Sequence, residues 1–395
     1  MNAPGTKPPR IPWGMLGGGA RSLIGIVHRI AASMGDDYHL VGGVFSSNAQ
    51  ASVAFAQDLE LNPQRAYPNV DTLIAGEQAL PPEQRMRLVT IATPNALHYD
   101  EAKKLVTSGF HILCEKPITI SVTQATELAR LVQSHGVVFA VAHTYTGYPM
   151  VRQLRAMIAA GAIGAIQKVH VQYYQGWLNP LLRDPAQRRK VWRLDPAQGG
   201  DSSCIGDIGV HCFNLVEYTT GLKIERLLAD TDTGVPDNAM DVDGSVLLRL
   251  TGNIPGVLCA SQIATAEENN LQLAVYGHTG ALKWAQETPQ RLEFLQEGKP
   301  LSVLTAGQPY NAPEARAASK LPPGHPEGFT DAMGNIYRGV AHAINSMPPA
   351  GSGSPSNQAP LNPGAFPNIE AGVRGMRFIE AVLQSASSGN QWRDV

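Results

Sequence analysis

The sequence predicts an α/β fold in which a doubly wound parallel sheet is followed by an α+β domain with a large, mainly antiparallel open sheet. Three observations carry this. Between residues 11 and 142 short apolar runs alternate with stretches of helical spacing, the first run breaks into a glycine-rich turn, and past about residue 150 the pattern changes to apolar and polar residues in strict alternation. Strands separated by helices are joined by crossovers and lie parallel, with both faces covered. Alternating strands separated by Gly-rich or polar turns make an antiparallel sheet with one wet face.

The opening element is Ile11 to Leu16, followed by Gly17, Gly18, Gly19, Ala20 and Arg21 and then by helical spacing from Leu23 to Met34. Glycines there permit dihedrals closed to other residues and let main-chain N–H groups approach a phosphate at the helix N-terminus. The spacing departs from G-x-G-x-x-G, because the glycine after Gly19 is Gly25, three residues late. Next come a strand at His39–Phe45, a helix at Ala49–Asp58, a strand at Arg87–Ala92 and a helix at Asn95–Ser108. A strand at His111–Cys114, a helix at Ser121–His135 and a strand at Val137–Ala142 complete the parallel half. Ligands of such sheets bind at the carboxyl edge, so the loops after residues 16, 45, 92, 114 and 142 are the candidate site.

A helix at Val151–Ala160 introduces the second half. Strands are expected at Ile166–Tyr174, Asp243–Leu250, Gly256–Ile263, Leu271–Tyr276, Ala281–Ala285 and Leu292–Leu295. Two stretches rich in Pro, Gly and Ser, Gly307–Gly328 and Met347–Gly364, read as surface excursions, and helices at Asp331–Asn345 and Ile369–Ser385 close the chain.

Composition narrows the function. With 31 basic and 33 acidic residues spread along 395, the net charge is −2, and no general field favours nucleic acid or an anionic membrane. No stretch approaches the roughly 20 uninterrupted apolar residues of a membrane span. The polar, proline-rich Met1–Arg10 lacks a signal-peptide apolar region, which points to the cytoplasm. Cys114, Cys204, Cys212 and Cys259 form no C-x-x-C pair and suit a reducing compartment.

Four groups of residues at these edges can carry chemistry. The second strand ends in Ser46-Ser47-Asn48, where a carboxylate would grip a ribose 2′-hydroxyl. These residues either turn the chain or bind a sugar hydroxyl or 2′-phosphate, with Arg21 a possible extra contact. After the third strand comes Thr93-Pro94-Asn95 with His98, and after the fourth Glu115-Lys116-Pro117. Lys116 is either a solvated loop lysine paired with Glu115 or a donor aimed at the ligand. The last group is Cys204-Ile205-Gly206-Asp207-Ile208-Gly209-Val210-His211. If Asp207 opens a helix, His211 lies one turn on, and the carboxylate orients the imidazole and raises its proton affinity. Competing readings are a helix cap with a buried histidine, or a zinc site on Cys204, Asp207 and His211, which no second Cys or His pair completes; no metal is expected.

Together the glycine turn, Thr93-Pro94-Asn95 with His98, Glu115-Lys116-Pro117 and Asp207-x-x-x-His211 resemble the Gfo/Idh/MocA family of oxidoreductases. The resemblance implies an NAD(P)-binding Rossmann domain over 1–147 and a substrate-binding and oligomerisation domain over 148–395, the late helix 369–385 being placed to pack back on the first. It implies NAD or NADP as cofactor, Lys116, Asp207 and His211 as catalytic residues, and a sugar or cyclitol alcohol as substrate. Tyr145, Tyr148, Trp177, Trp192 and Arg193, near the domain junction, offer aromatic faces and hydrogen-bonding tips for a polyhydroxylated ring, and Asn179 and Asp195 offer further hydroxyl contacts. A homodimer or homotetramer is expected from the apolar face of the second sheet. The alternatives are a redox sensor that binds NAD(P) without turnover, and glycoside cleavage by oxidation and elimination with the cofactor retained.

Overall fold

The computed structural model describes residues 8–347 and 364–395. Its first part runs β1 (Ile11–Gly17), α1 (Leu23–Ser33), β2 (Tyr38–Val44), α2 (Ala49–Asp58), α3 (Val70–Gln78), β3 (Leu88–Ala92), α4 (Asn95–Thr107), β4 (His111–Cys114), α5 (Val122–His135) and β5 (Phe139–Val141). The five strands pair in parallel in the order β2-β1-β3-β4-β5. Helices cover both faces, so Ile11, Met15, Leu16, Val89, Ile91 and Ile112 are fully buried and the strands read as continuous apolar runs. The strand order reverses between β1 and β3, where Gly17 lies opposite Ala92, and open α/β sheets bind ligands at such a reversal.

The second part continues with α6 (Pro149–Ala159), β6 (Ile166–Tyr174), α7 (Leu178–Arg183), α8 (Pro185–Arg188) and α9 (Pro196–Gly199), then a π-helical turn, Ile205–Gly209, leading into α10 (Val210–Thr220). There follow β7 (Ile224–Asp232), β8 (Asp243–Leu250), β9 (Ile254–Ser261), β10 (Asn270–Gly277), β11 (Gly280–Ala285), β12 (Arg291–Gln296) and β13 (Ser302–Thr305). The chain ends with α11 (Pro313–Ala318), α12 (Phe329–Asn345), α13 (Ile369–Ser387) and β14 (Arg393–Asp394). These strands form one sheet, β13-β12-β11-β10-β6-β9-β8-β7-β14, in which only β6 and β9 pair in parallel. Along β8 the burial alternates: Val246, Leu248 and Leu250 lie under the helical layer, while Leu247 on the opposite face is 46% exposed.

Among the elements not expected from the sequence, β7 and α3 escape a periodicity reading for physical reasons. Strand β7 carries Glu225, Arg226, Asp230 and Asp232, so charge masks its buried Ile224, Leu227 and Ala229. Helix α3 is short, and its apolar face of Val70, Leu73 and Ile74 is continued by the carboxylate of Glu77. It starts at a capping box between Asn69 and Thr72 and is anchored by the buried Glu77, which accepts from Arg65, Tyr67 and the Met86 N–H. The predicted excursion at 307–328 contains α11, and most of the one at 347–364 lies outside the described residues.

Two late helices return to the parallel sheet. Met333, Ile336, Tyr337 and Val340 of α12 share a buried cluster with Ile11, Trp13 and Met15, and α13 packs against both α5 and β7. Among the described residues no helix is long and apolar enough to cross a membrane.

Candidate active site

The glycine turn is built for close approach. Gly17 and Gly18 hold positive φ angles of 77° and 71°, and a Cβ on Gly17 would stand 2.5 Å from the Ala92 carbonyl oxygen. The late glycine is explained by packing, because a Cβ on Gly25 would fall 2.4 Å from Gly18 Cα. Gly25 therefore does the helix-packing work of the third glycine of a dinucleotide turn, and the added length admits Ser22 as N-cap. Ser22 Oγ accepts from the Gly25 N–H at 3.1 Å, and the Leu23 and Ile24 N–H groups, which have no intrahelical acceptor, lie at the wall of the main cleft. A cradle without side chains, closed by free N–H groups at a helix N-terminus, suits a pyrophosphate.

The next edge loops surround this turn. Thr93, Pro94 and Asn95 line the cleft, and Asn95 Nδ2 donates to the Gly199 carbonyl at 3.1 Å, tying α4 to the end of α9. His98 does not reach the cleft: it is fully buried, with its ring nitrogens 2.8 Å from the Pro117 and Thr93 carbonyls, and acts as a strut between these loops. Thr93 Oγ1 donates to Glu101 at 2.6 Å, and burial pushes Glu101 up to about 7 despite that bond. Glu115 sits beneath the cleft, bonded to His28 at 3.0 Å, and His28 in turn meets the Tyr337 hydroxyl at 2.9 Å. Burial works to raise the Glu115 carboxyl, but His28 and then Lys116 outweigh it and hold it low.

Lys116, followed by a cis peptide to Pro117, reaches across to the π-turn. Its Nζ donates to both the Asp207 carboxylate and the Asp207 carbonyl at 2.7 Å. The other Asp207 oxygen accepts from Gln262 Nε2 at 2.9 Å and pairs with Arg193 Nε at 3.0 Å. Burial opposes ionisation, but Lys116 and then Arg193 hold Asp207 well below the usual carboxylate range. This corrects the expected arrangement. Asp207 lies inside the π-turn instead of opening a helix, and its carboxylate grips Lys116 and Arg193, not His211. Such turns recur at functional sites. His211 meets His143 instead, Nδ1 to Nδ1 at 3.3 Å, and packs against the ring of Tyr145 with centroids 4.9 Å apart. Its proton affinity also runs opposite to expectation: burial, then Lys116 and His143, depress it against the pull of Asp207.

Lys116, Asp207 and His211 border one cleft of about 930 Å³. Of the residues singled out from sequence, Arg21, Thr93, Pro94, Asn95, Glu115, Lys116, Tyr145, Trp177, Trp192, Arg193, Asp207 and His211 reach its wall. Others serve elsewhere. Tyr148 is only 1% exposed, stacking on Tyr145 and packing at a tilt against Trp284 in the core. Asn48 caps α2, Ser46 Oγ accepts from the Asn48 N–H, and neither they nor Ser47 line the cleft. Asp195 caps α9, and Asn179 bonds Thr265. Among the described residues no group of His, Cys, Asp and Glu is arranged to hold a metal ion.

Sequence reasoning missed the wall opposite the coenzyme edge: Tyr173, Gln175, Asn269 and Gln286. Tyr145 donates to Tyr173 at 2.5 Å, Tyr173 to Asn269 Oδ1 at 2.6 Å, and Gln175 Nε2 to the same oxygen at 2.8 Å. Trp177 Nε1 donates to Gln175 at 3.0 Å, completing an ordered uncharged surface. The available signal was a polar side chain at an inward position: Tyr173 follows Val169 and Val171 at intervals of two along β6.

Known proteins place this site in context. Residues 11–143 match the oxidoreductase family with an NAD-binding Rossmann fold, and residues 151–283 match the GFO/IDH/MocA C-terminal domain. The uncharacterized oxidoreductase YfiI of Bacillus subtilis (strain 168) is 30% identical over 390 residues, covering 98% of this chain and 97% of its own. An inositol dehydrogenase homolog from Azotobacter vinelandii complexed with NAD+ superposes with a TM-score of 0.91 at 32% identity, covering 98% of this chain and 97% of the other. The same homolog complexed with NADH and myo-inositol gives a TM-score of 0.88 at 31% identity, with 98% of each chain covered. The chain thus belongs to the Gfo/Idh/MocA family of NAD-binding oxidoreductases.

Proposed function

We propose that this chain oxidises a secondary alcohol of an uncharged polyol, a sugar or cyclitol, and in reverse reduces the ketone. The observation that carries the reading is the meeting of Lys116 and His211 in one cleft between the Thr93–Asn95 edge and the Tyr173–Asn269 wall. NAD, held against the Gly17–Gly19 turn and the start of α1, would supply the hydride acceptor for the carbinol carbon. Two of the three Lys116 donors are spent on Asp207, and the third is available to the carbinol oxygen, where an ammonium stabilises the developing alkoxide. Asp207 holds that ammonium in place, and His211 accepts the hydroxyl proton. Amide and phenol groups of Gln175, Asn269, Gln286 and Tyr173 match substrate hydroxyls, and the Trp177 and Trp192 faces match a ring.

The glycine cradle and the family support NAD as coenzyme. The test is to add NAD or NADP with a panel of inositols and aldoses to the purified chain and follow reduced-nicotinamide absorbance. His211→Ala is expected to lower turnover at least about 100-fold while nucleotide binding is retained. Near-normal turnover in that variant would remove His211 from the base role. Absence of nicotinamide reduction with every polyol would favour a sensor, and aglycone release from a glycoside without net NADH would favour oxidation coupled to elimination.

A further inference from the structure

His143 has no place in the chemistry above. It follows β5, is 2% exposed, and stands behind His211, which lines the cleft where His143 does not. Its backbone is fixed on both sides: the His143 N–H donates to the Val141 carbonyl at 2.7 Å, and its own carbonyl accepts from the Thr146 N–H and hydroxyl at 3.2 and 2.9 Å. The two rings meet edge to face, centroids 5.2 Å apart at 84°, with the Nδ1 atoms 3.3 Å apart. Two nitrogen lone pairs do not face each other at that distance, so one Nδ1 carries the proton and the other receives it.

The surroundings set the charge of both rings. Burial and then Lys116 bring His143 down to about 3, with Glu115 pulling the other way. His211 is depressed by burial, Lys116 and His143 against Asp207, so both rings are neutral near pH 7. Tyr145 and Tyr173, the remaining ionisable groups against His211, stay protonated, since burial raises both hydroxyls, Tyr145 to about 12. The Asp207 oxygens are engaged by Lys116, Gln262 and Arg193, which leaves His143 as the hydrogen-bonding partner that sets the His211 ring.

We propose that His143 is the positioning residue for His211: its Nδ1 accepts the His211 Nδ1–H and fixes the tautomer whose Nε2 is free to take a proton from the substrate hydroxyl. The proposal rests on the reading of His211 as the base. The reverse bond, with His143 donating, would put the His211 proton on Nε2 and disable it for alcohol oxidation. A neutral acceptor in place of a carboxylate forms no ion pair with the protonated imidazole, so the proton taken from substrate is passed on readily.

The experiment compares His143→Leu, His143→Gln and His143→Asp in the full chain, with nitrogen NMR of labelled histidines in the coenzyme-free wild type. His211→Ala and His143→Gln assign the two rings. The wild type is expected to show His211 protonated at Nδ1 and bare at Nε2. His143→Leu should lower kcat at least about tenfold with the KM for polyol unchanged, and His143→Gln, whose amide oxygen still accepts, should recover most of it. His143→Asp places a charge beside the ring and should move the acid limb of kcat/KM upward by about one pH unit or more. A wild-type kcat and pH profile in His143→Leu, or an Nε2-protonated His211, overturns the proposal. A chain that oxidises no polyol overturns the dehydrogenase reading instead, and the tautomer measured by NMR still decides whether His143 accepts.

Discussion

The two sheets reach the cleft by different means. On the parallel side, each contribution is a short loop between a strand end and a helix start: Gly17 to Ile24, Thr93 to Asn95, and Glu115 to Lys116. There the backbone itself is constrained, by positive φ at Gly17 and Gly18, by capping at Ser22 and by the proline at 94 before α4. On the antiparallel side, Tyr173, Gln175, Asn269 and Gln286 are polar residues in or near strand ends, more than a hundred positions apart along the chain at their extremes, the first three joined by side-chain hydrogen bonds. On the proposed reading, backbone constraint sets the place of the coenzyme and side-chain choice sets which hydroxyls are met. Substitutions on the first side should therefore abolish turnover, and substitutions on the second should shift KM.

The largest effect is expected at Lys116. Lys116→Ala removes the one ammonium that both touches Asp207 and has a donor left for the carbinol oxygen. Steady-state kcat should fall by about 10² to 10³, the usual loss when one preorganised donor to a developing oxyanion is deleted. Calorimetric affinity for NAD should be unchanged. A loss confined to KM would place Lys116 with the substrate wall and break the division between the two sides.

A smaller effect, on stability, is expected at Glu101, under Thr93. Burial raises its carboxyl from an ordinary 4.5 to about 7, against the Thr93 hydrogen bond. The folded state thus binds this proton more tightly than the unfolded chain does. The group's contribution is full below pH 4.5 and is lost as pH rises through about 7. The difference amounts to about 3 kcal/mol. Glu101→Gln, always neutral, should match the wild type near pH 4.5 and become the more stable protein by that amount near pH 8, measured as denaturant midpoints at each pH. A pH-independent offset would show that Glu101 is not held protonated by its surroundings.

How much of this was legible in the sequence follows the same division. Apart from α3, the parallel half was readable element by element, because strands buried on both faces are continuous apolar runs and the caps Ser22, Asn48 and Ser121 mark helix starts. Gly25 looked out of register because a fingerprint counts positions, whereas the physical requirement is contact with Gly18. The motifs that hold Lys116, Asp207 and His211 were visible, but their pairing was not. Helical spacing tied Asp207 to His211, while Gln262 and Arg193, supplied from other segments, take up the carboxylate. His143 lies 68 residues from His211, and no spacing rule joins them. Tyr148, three residues beyond Tyr145, was expected beside it in the cleft, yet the short 3-10 turn at Thr144–Gly147 carries it into the core.

The substrate wall offers the gentlest test and the sharpest one for the division. Tyr173 is 3% exposed, so Tyr173→Phe keeps the ring's packing and deletes only the hydroxyl that receives from Tyr145 and donates to Asn269. Without it Asn269 keeps its bond from Gln175 but loses the second restraint on its orientation. One neutral hydrogen bond of this kind contributes about 1 kcal/mol, which corresponds to about a fivefold rise in KM for the polyol. The kcat and the affinity for NAD should stay within about twofold, because neither Lys116 nor the glycine turn touches this hydroxyl. A kcat loss matching that of Lys116→Ala would mean that the phenol acts on the reacting oxygen itself. The wall would then have to be counted as part of the chemistry, and the line between a side that reacts and a side that selects would run along the Tyr145–Tyr173 bond instead of between the sheets.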